Sequence, residues 1–155
     1  MMSLKSLKAR EDDLSSPQRQ LELLSEGIFE EGELPTFKDK IAESGHFPLK
    51  PKKLEILQLN LGYMCNQVCS HCHVDAGPDR KEIMTKETML LCLEVIKNTG
   101  AHTLDLTGGA PEMNPNFRWF VEEASKAGIK DFIVRSNLTI ILANKKFHDL
   151  PNFFK

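Results

Sequence analysis

From Leu54 onward, apolar and polar positions follow the two spacings that are typical of strands and helices. Residues 54–60, 103–107 and 131–135 are short apolar runs and predict three strands. The segments between them each carry an apolar stripe at helical spacing, which predicts two helices. The stripes are Met89, Cys92, Leu93 and Ile96, then Phe117, Phe120, Val121 and Ala124. This alternation predicts an α/β fold with parallel strands and right-handed crossovers.

The ends of the predicted helices carry typical capping residues. Thr85 is expected to cap the first helix and Gly100 to end it. Asn114 is expected to cap the second helix, with Pro115 at its first position. Residues 136–139 are expected to form a loop, and a third helix is expected to begin within residues 147–155.

Residues 1–50 follow a different pattern. Short helices are predicted over residues 18–24 and from Pro35 to about Gly45, separated by charged residues and proline at 30–35. We therefore predict a mostly helical N-terminal extension over residues 1–50. Residues 51–155 are predicted to form a truncated core of about three βα units.

The composition excludes several classes of protein. The 155 residues suffice for one domain with one core, and 20 basic against 22 acidic residues give a net charge of −2. That balance gives no indication of nucleic-acid or membrane-surface binding, and no apolar run is long enough to span a bilayer. The basic N-terminus lacks the apolar segment of a secretory signal. Three of the four cysteines cluster, which favours a metal site in the reducing cytoplasm over a disulfide scaffold.

Cys65, Cys69 and Cys72 lie directly after the first predicted strand, with the spacing C-x3-C-x2-C. Three thiolates can hold three irons of a four-iron cluster, whereas a cluster that only carries electrons normally has four cysteine ligands. The fourth iron is then open to a substrate or cofactor, much as a catalytic zinc keeps an open position. The alternative is a structural zinc site with three cysteines and either His71 or His73.

Three polar or flexible segments each follow a predicted strand. They are the cysteine loop, Gly108-Gly109 and Ser136-Asn137. Because the carboxyl ends of parallel strands meet on one side of a sheet, we expect these segments to lie close together. Glycine also permits a ligand or a second backbone to approach closely.

The cysteine spacing after the first strand and Gly108-Gly109 after the second resemble the radical S-adenosylmethionine (SAM) enzymes. The resemblance implies the N-terminal half of a partial (β/α)6 barrel of the TIM type. It implies a 4Fe–4S cluster on the three cysteines, with SAM bound to the open iron through its amino and carboxylate groups. A low-potential donor of the flavodoxin or ferredoxin type would reduce the cluster. Electron transfer to SAM then breaks a carbon–sulfur bond and yields a 5′-deoxyadenosyl radical.

Residues 66–80, 106–115 and 135–139 are similar to a narrower group, the arsenosugar-biosynthesis radical SAM proteins. This similarity extends from about Ser16 to the end of the chain. It implies transfer of a deoxyadenosyl group to a methylated arsenic(III) species, a small-molecule substrate.

The resemblance also implies cofactor-binding residues, which are Gly108, Gly109, Ala110, Pro111, Asn137 and His71. Two of them depart from the common pattern of the superfamily. Ala110 stands where the motif Gly-Gly-Glu-Pro has glutamate, although backbone groups around the glycines can still bind the SAM amino group. His71 precedes the third cysteine, where an aromatic residue usually faces the adenine.

The chain contains only three of the strands that the barrel implies. We therefore expect an N-terminal half that takes up a cluster but turns over SAM poorly by itself. Two alternatives remain open, a non-catalytic metal-binding module and a cluster protein that senses redox state without SAM. A SAM-dependent change in the electron paramagnetic resonance (EPR) signal of the cluster separates the enzyme from both.

Five other side chains have simpler expected roles. His73 and Asp75 are expected to hydrogen-bond the backbone of the cysteine loop, with proton transfer as the alternative, and Arg80 to lie in solvent. Cys92 belongs to a helix stripe and is expected in the core. Trp119 lies off the apolar face of its helix and is expected to be exposed, with contact to the N-terminal extension as the alternative.

Overall fold

The computed structural model of the protein describes residues 5–25 and 35–155, which fall into two compact units. The larger unit joins the residues up to Asp12 to Leu54–Lys155. The smaller unit lies within Asp13–Lys53. All the residues that the sequence predicts for the site belong to the larger unit.

The smaller unit contains two short helices, α1 (Pro17–Ser25) and α2 (Phe37–Glu43). The Thr36 side chain caps α2 by accepting a hydrogen bond from the backbone N–H of Asp39 at 3.2 Å. Both predicted helices are therefore confirmed. The predicted break over residues 30–35 lies outside the described residues, except for its last position.

Three strands form one parallel sheet in the order in which they occur along the chain. They are β1 (Ile56–Asn60), β2 (Thr103–Thr107) and β3 (Asp131–Val134). In register, Gln58 faces Asp105, and Asp105 faces Ile133 on β3. The parallel α/β architecture is confirmed, but these three strands form an open sheet, and the described residues do not show a barrel.

Two long helices connect the strands, α3 (Lys86–Thr99) and α4 (Phe117–Lys126). Thr85 caps α3 and Gly100 ends it in the left-handed conformation, as predicted. Asn114 and Pro115 precede α4 rather than begin it, because Asn116 occupies the position directly before the helix. The side-chain oxygen of Asn114 still accepts a hydrogen bond from the Asn116 N–H at 2.9 Å. Its amide nitrogen donates hydrogen bonds to the carbonyl oxygens of Leu61 at 3.0 Å and Met84 at 2.9 Å. Leu61 and Met84 lie at the two ends of the cysteine loop, so Asn114 links both ends to the residues just before α4.

The end of the chain contains two further short helices, α5 (Thr139–Ala143) and α6 (Leu150–Phe153). Thr139 was expected in a loop, and this is wrong because it begins α5. Asn137 accepts a hydrogen bond from the Thr139 N–H at 2.9 Å, and Ile140 buries its side chain, which together start a helical turn. The third predicted helix is confirmed only as the four residues of α6.

The hydrophobic core lies between one face of the sheet and the helices. Leu104 and Leu106 of β2 are fully buried there with Met89, Ile96, Phe117 and Phe120. Burying a side chain of this size contributes about 1.5–3 kcal/mol relative to leaving it exposed. Cys92 packs against this core, as expected.

Trp119 also packs against the core, with the ammonium nitrogen of Lys86 4.4 Å from its ring centroid. The expectation of a simply exposed indole is therefore wrong.

No helix within residues 5–25 and 35–155 has both the length and the apolar character needed to cross a membrane.

Candidate functional site

The cysteine loop, residues 61–85, connects β1 to α3 and folds back on itself. Its two sides are joined by backbone hydrogen bonds from Tyr63 N–H to Glu82 at 2.9 Å, from Cys65 N–H to Gly77 at 3.2 Å and from Gly77 N–H to Tyr63 at 3.1 Å. Asn60, the last residue of β1, accepts a hydrogen bond from the Gly62 N–H at 2.8 Å. The loop is thus an ordered structure that holds its cysteines in defined positions.

Cys65, Cys69 and Cys72 line one cavity of about 300 Å3 at the carboxyl ends of the strands. The other lining residues are Gln67, Ala76, Gly108, Gly109, Arg135, Ser136 and Asn137. The structure therefore brings together all three segments that follow strands. A larger cavity of about 560 Å3 beside β3 and α6 contains no cysteine.

Backbone and side-chain N–H groups point at the cysteine sulfurs. The Gln67 N–H lies 3.5 Å from the Cys65 sulfur, and the Ala76 N–H lies 3.3 Å from the Cys72 sulfur. The Asn137 amide donates to the Cys65 sulfur at 3.5 Å. Such donors favour sulfur that carries negative charge, as it does when it binds a metal.

The three thiols differ in their exposure to solvent. Cys65 is only 6% exposed, Cys72 is half-buried and Cys69 is exposed. Burial raises the pKa of the Cys65 thiol, and the neighbouring Cys69 and Cys72 raise it further. A metal that binds this sulfur must therefore displace its proton.

Gly108 and Gly109 lie against the cysteine loop. Gly108 has φ +132°, and a Cβ on it would lie 2.5 Å from the Gly62 carbonyl oxygen. A Cβ on Gly109 would lie 2.4 Å from the Met64 carbonyl oxygen. The N–H groups of Gly109 and Ala110 donate to these same two oxygens, each at 2.9 Å. Glycine is therefore required here by the close approach of two backbones.

Three of the expected cofactor-binding residues do not line the cavity. Ala110 and Pro111 are buried beside the double glycine, and His71 is exposed to solvent. His73 is also exposed. In the described part of the chain, no three His, Cys, Asp or Glu side chains converge closely enough to hold a single metal ion.

A row of three polar side chains, one of which lines the cavity, was not predicted. Gln58 donates a hydrogen bond to Asp105 at 2.8 Å, and Arg135 donates to both carboxylate oxygens of Asp105 at 2.8 Å. Asp105 is buried, and the hydrogen bonds from Arg135 lower its pKa. Gln58 and Asp105 lie on neighbouring strands and Arg135 directly follows β3, but only the strand register shows that they meet.

Glu112 is a second site-adjacent residue that was not predicted. It lies two positions after Ala110 and is buried, and the Ser136 hydroxyl donates a hydrogen bond to one of its carboxyl oxygens. The other oxygen is buried without a partner among the described residues. One signal in the sequence could have pointed to Glu112. It is a carboxyl group close to Ala110, the position where the superfamily motif has glutamate.

The first described residues, 5–12, are attached to the cysteine loop. Asp75 accepts hydrogen bonds from the backbone N–H groups of Leu7 and Lys8, and Asp79 accepts from both the N–H and the hydroxyl of Ser6. The Ser6 side chain is fully buried by this contact. The expectation that the Asp75 side chain hydrogen-bonds the backbone of the cysteine loop is wrong. Its carboxylate accepts from the backbone of Leu7 and Lys8, and within the loop it accepts from the Arg80 side chain.

The expectation that Arg80 lies in solvent is wrong. Its side chain is only 10% exposed, and its guanidinium pairs with Asp75 at 2.9 Å and Glu82 at 3.0 Å. It also lies over the ring of Tyr63, 4.7 Å from the centroid. Arg80 thereby links Tyr63 and Glu82, on the two sides of the cysteine loop, to Asp75. The Asp75 carboxylate in turn binds residues 7 and 8.

Comparison with known proteins gives distant and partial relatives. No family model matches the chain. The chain is similar to a probable GTP 3′,8-cyclase of Saccharolobus islandicus, with 31% identity over 86 residues, and to one of Sulfolobus acidocaldarius, with 26% identity over 86 residues. In both cases the match covers 56% of this chain and 28% of the relative. The chain thus spans well under half the length of the curated relatives that it matches.

Proposed function

We propose that this chain is part of a radical SAM enzyme that binds a 4Fe–4S cluster on Cys65, Cys69 and Cys72, with SAM in the same cavity. One observation carries the proposal: the three cysteines and the double glycine line a single cavity at the carboxyl ends of parallel strands. The distant relatives support it, because GTP 3′,8-cyclases are a radical SAM family.

The donor set fits a cluster better than a single metal ion. A zinc ion lies about 2.3 Å from each cysteine sulfur, so its ligands must converge on one point. Here the three cysteines line a cavity of about 300 Å3, and among the described residues no three such ligands converge on one point. A cluster accepts such hydrogen bonds at its sulfurs and needs only thiolate ligands from the protein.

When bound and reduced, the cluster would supply one electron to the sulfonium of SAM, so that one carbon–sulfur bond breaks into methionine and a 5′-deoxyadenosyl radical. The chain's own residues would bind and orient the reactants. The Gly108 and Gly109 carbonyl oxygens accept no hydrogen bond from the described residues and would accept from the SAM amino group. Arg135 lines the cavity and would bind a carboxylate through the N–H groups that Asp105 leaves available.

The substrate that we propose is a methylated arsenic(III) species, to which the deoxyadenosyl group is joined. This proposal depends on the resemblance of residues 66–80, 106–115 and 135–139 to the arsenosugar-biosynthesis proteins. The relatives named above are instead probable GTP 3′,8-cyclases. Because slow turnover is expected of this chain, the reconstituted protein is incubated at high concentration with SAM and either substrate, and mass spectrometry of single-turnover products distinguishes an adenosylated arsenical from a cyclised nucleotide.

The cluster itself is tested by cysteine replacement. After anaerobic reconstitution, we expect about four irons and four sulfides per chain and an EPR signal that changes when SAM is added. C65S, C69S and C72S should each lose most of the iron. C92S is the matched control, because Cys92 is a half-buried thiol on α3 outside the cavity, and it should retain the wild-type iron content.

Two outcomes would refute this proposal in favour of the alternatives. One tightly bound zinc per chain with no sulfide would indicate a structural metal module that uses a histidine. A stable cluster whose EPR signal ignores SAM would indicate a redox-sensing protein.

A further inference from the structure

Asn137 joins the end of β3 to the cysteine loop through its side-chain amide. The amide nitrogen donates to the Cys65 sulfur at 3.5 Å and to the Asn66 side-chain oxygen at 3.2 Å. The amide oxygen accepts from the N–H of Thr139 at 2.9 Å and from its hydroxyl at 2.8 Å. The side chain therefore lies between the most buried of the three cysteines and the first turn of α5.

The orientation of this amide is fixed by its neighbours. A backbone N–H can only donate, so the Asn137 atom that faces the Thr139 N–H must be the oxygen. The nitrogen then points at Cys65. Asn66 reinforces the arrangement, because its own amide nitrogen donates to the Thr139 hydroxyl at 2.8 Å. Three side chains thus hold one N–H group against the sulfur.

The hydrogen-bonding capacity of Asn137 is also fully used. A side-chain amide has two N–H donors and two oxygen lone pairs. Here the donors face Cys65 and Asn66, and both lone pairs face Thr139. A contact between this amide and a cofactor in the cavity would have to break one of these four hydrogen bonds.

We propose that Asn137 is a positioning residue for Cys65, whose hydrogen bond sets the reduction potential of the cluster, and that it does not bind SAM through its amide. The inference rests on the proposed function, because it takes Cys65 as a cluster ligand. Hydrogen bonds to cluster sulfurs are among the factors that set reduction potential. An N–H donor stabilises the more negatively charged reduced cluster, so this one raises the potential.

The substitution N137D is nearly isosteric and separates the two functions of the amide, which are to accept from Thr139 and to donate to Cys65. N137D keeps an oxygen for Thr139 but replaces the donor to Cys65 with an acceptor. N66D is the control for charge: it adds the same charge one residue from Cys65 and keeps the oxygen that accepts from Asn137, and it gives up only its own hydrogen bond to the Thr139 hydroxyl. N137A removes the donor without adding charge.

The experiment measures the midpoint potential of the reconstituted cluster by redox titration followed by EPR, without SAM. We expect N137A to have a more negative potential than the wild type, and N137D a more negative potential than N66D. Loss of the cluster in both Asn137 variants but not in N66D, with unchanged circular dichroism, would also support the positioning role. SAM binding, measured by the SAM-induced change in the EPR signal, should be retained in N137A.

Equal potentials for N137D and N66D, together with a wild-type potential for N137A, would overturn the inference. So would wild-type potentials combined with loss of the SAM-induced change in N137A, because that result would make Asn137 a SAM ligand. Failure of the proposed function looks different, since the wild-type protein would then form no 4Fe–4S cluster.

Discussion

Replacing Gly109 with alanine tests the close contact between the double glycine and the cysteine loop. The added Cβ would lie 2.4 Å from the Met64 carbonyl oxygen and 2.9 Å from its carbon, whereas ordinary contacts begin near 3.4 Å. The loop would have to withdraw by about 1 Å, the difference between 3.4 and 2.4 Å. The atoms in the way belong to the backbone, which cannot rotate aside as a side chain can.

The magnitude follows from two effects. Inserting a methyl group into a well-packed site costs about 1–3 kcal/mol. The shift would also lengthen the hydrogen bond from Ala110 N–H to Met64, now 2.9 Å, whose net contribution is about 0.5–1.5 kcal/mol. The free energy of unfolding should therefore fall by roughly 1.5–4.5 kcal/mol. At about 2–4 °C per kcal/mol for a domain of this size, the melting temperature should fall by roughly 3–18 °C.

Thermal denaturation of the apoprotein, followed by circular dichroism, measures the loss of stability, and iron content after reconstitution measures whether the displaced cysteine loop still binds the cluster. G100A is the matched control, because Gly100 has φ +67° and open space around it. That variant should lose about 1–2 kcal/mol through backbone strain alone and keep its iron. If G109A melts with the wild type and binds the same amount of iron, the proposed contact is wrong.

Two further predictions concern the charged groups of the cysteine loop. Asp75→Ala should leave the backbone N–H groups of Leu7 and Lys8 without their acceptor, which costs about 1–3 kcal/mol, and hydrogen exchange at those amides should accelerate. Unchanged protection would contradict the attachment. The hydrogen bond from Arg80 lowers the pKa of Glu82 from 4.5 to about 2. Because the folded pKa is the lower one, this stabilisation is present above pH 4.5 and disappears as the pH falls towards 2. E82Q should therefore flatten acid unfolding over that interval, by a small amount because the Glu82 side chain is 46% exposed; an acid-unfolding curve identical to that of the wild type would refute the link.

The elements that local pattern determines could be predicted from the sequence. The three strands and the two long helices follow from apolar spacing, and Thr85 and Gly100 act as caps through neighbours within one turn. The sequence could not show that Asn114 also bonds distant carbonyls, because an asparagine just before a helix has the same local sequence whether or not it does so. Its acceptors, Leu61 and Met84, are 53 and 30 positions away.

For the candidate site, the sequence predicts which segments meet but not the contacts that hold them. The convergence of the cysteine loop, the double glycine and Asn137 follows from the rule that parallel strands end on one side. The contacts that fix these groups were not predictable, because they join residues far apart in sequence. The pairing of Asp105 with Arg135 requires the register of the strands, and the attachment of residues 5–12 through Asp75 crosses 68 positions.

The attachment of residues 5–12 has a practical consequence for the preparation of this protein. Ser6 is buried against Asp79, and Leu7 is bonded to a carboxylate three residues after Cys72. A peptide fused directly to Lys5 would therefore begin close to the cysteine loop. A polyhistidine tag placed there would bring imidazole groups close to the cysteine thiols before iron is added. Nickel or zinc bound to the tag could then be counted as metal bound by the protein. An affinity tag at the opposite terminus, followed by metal analysis, avoids that artefact.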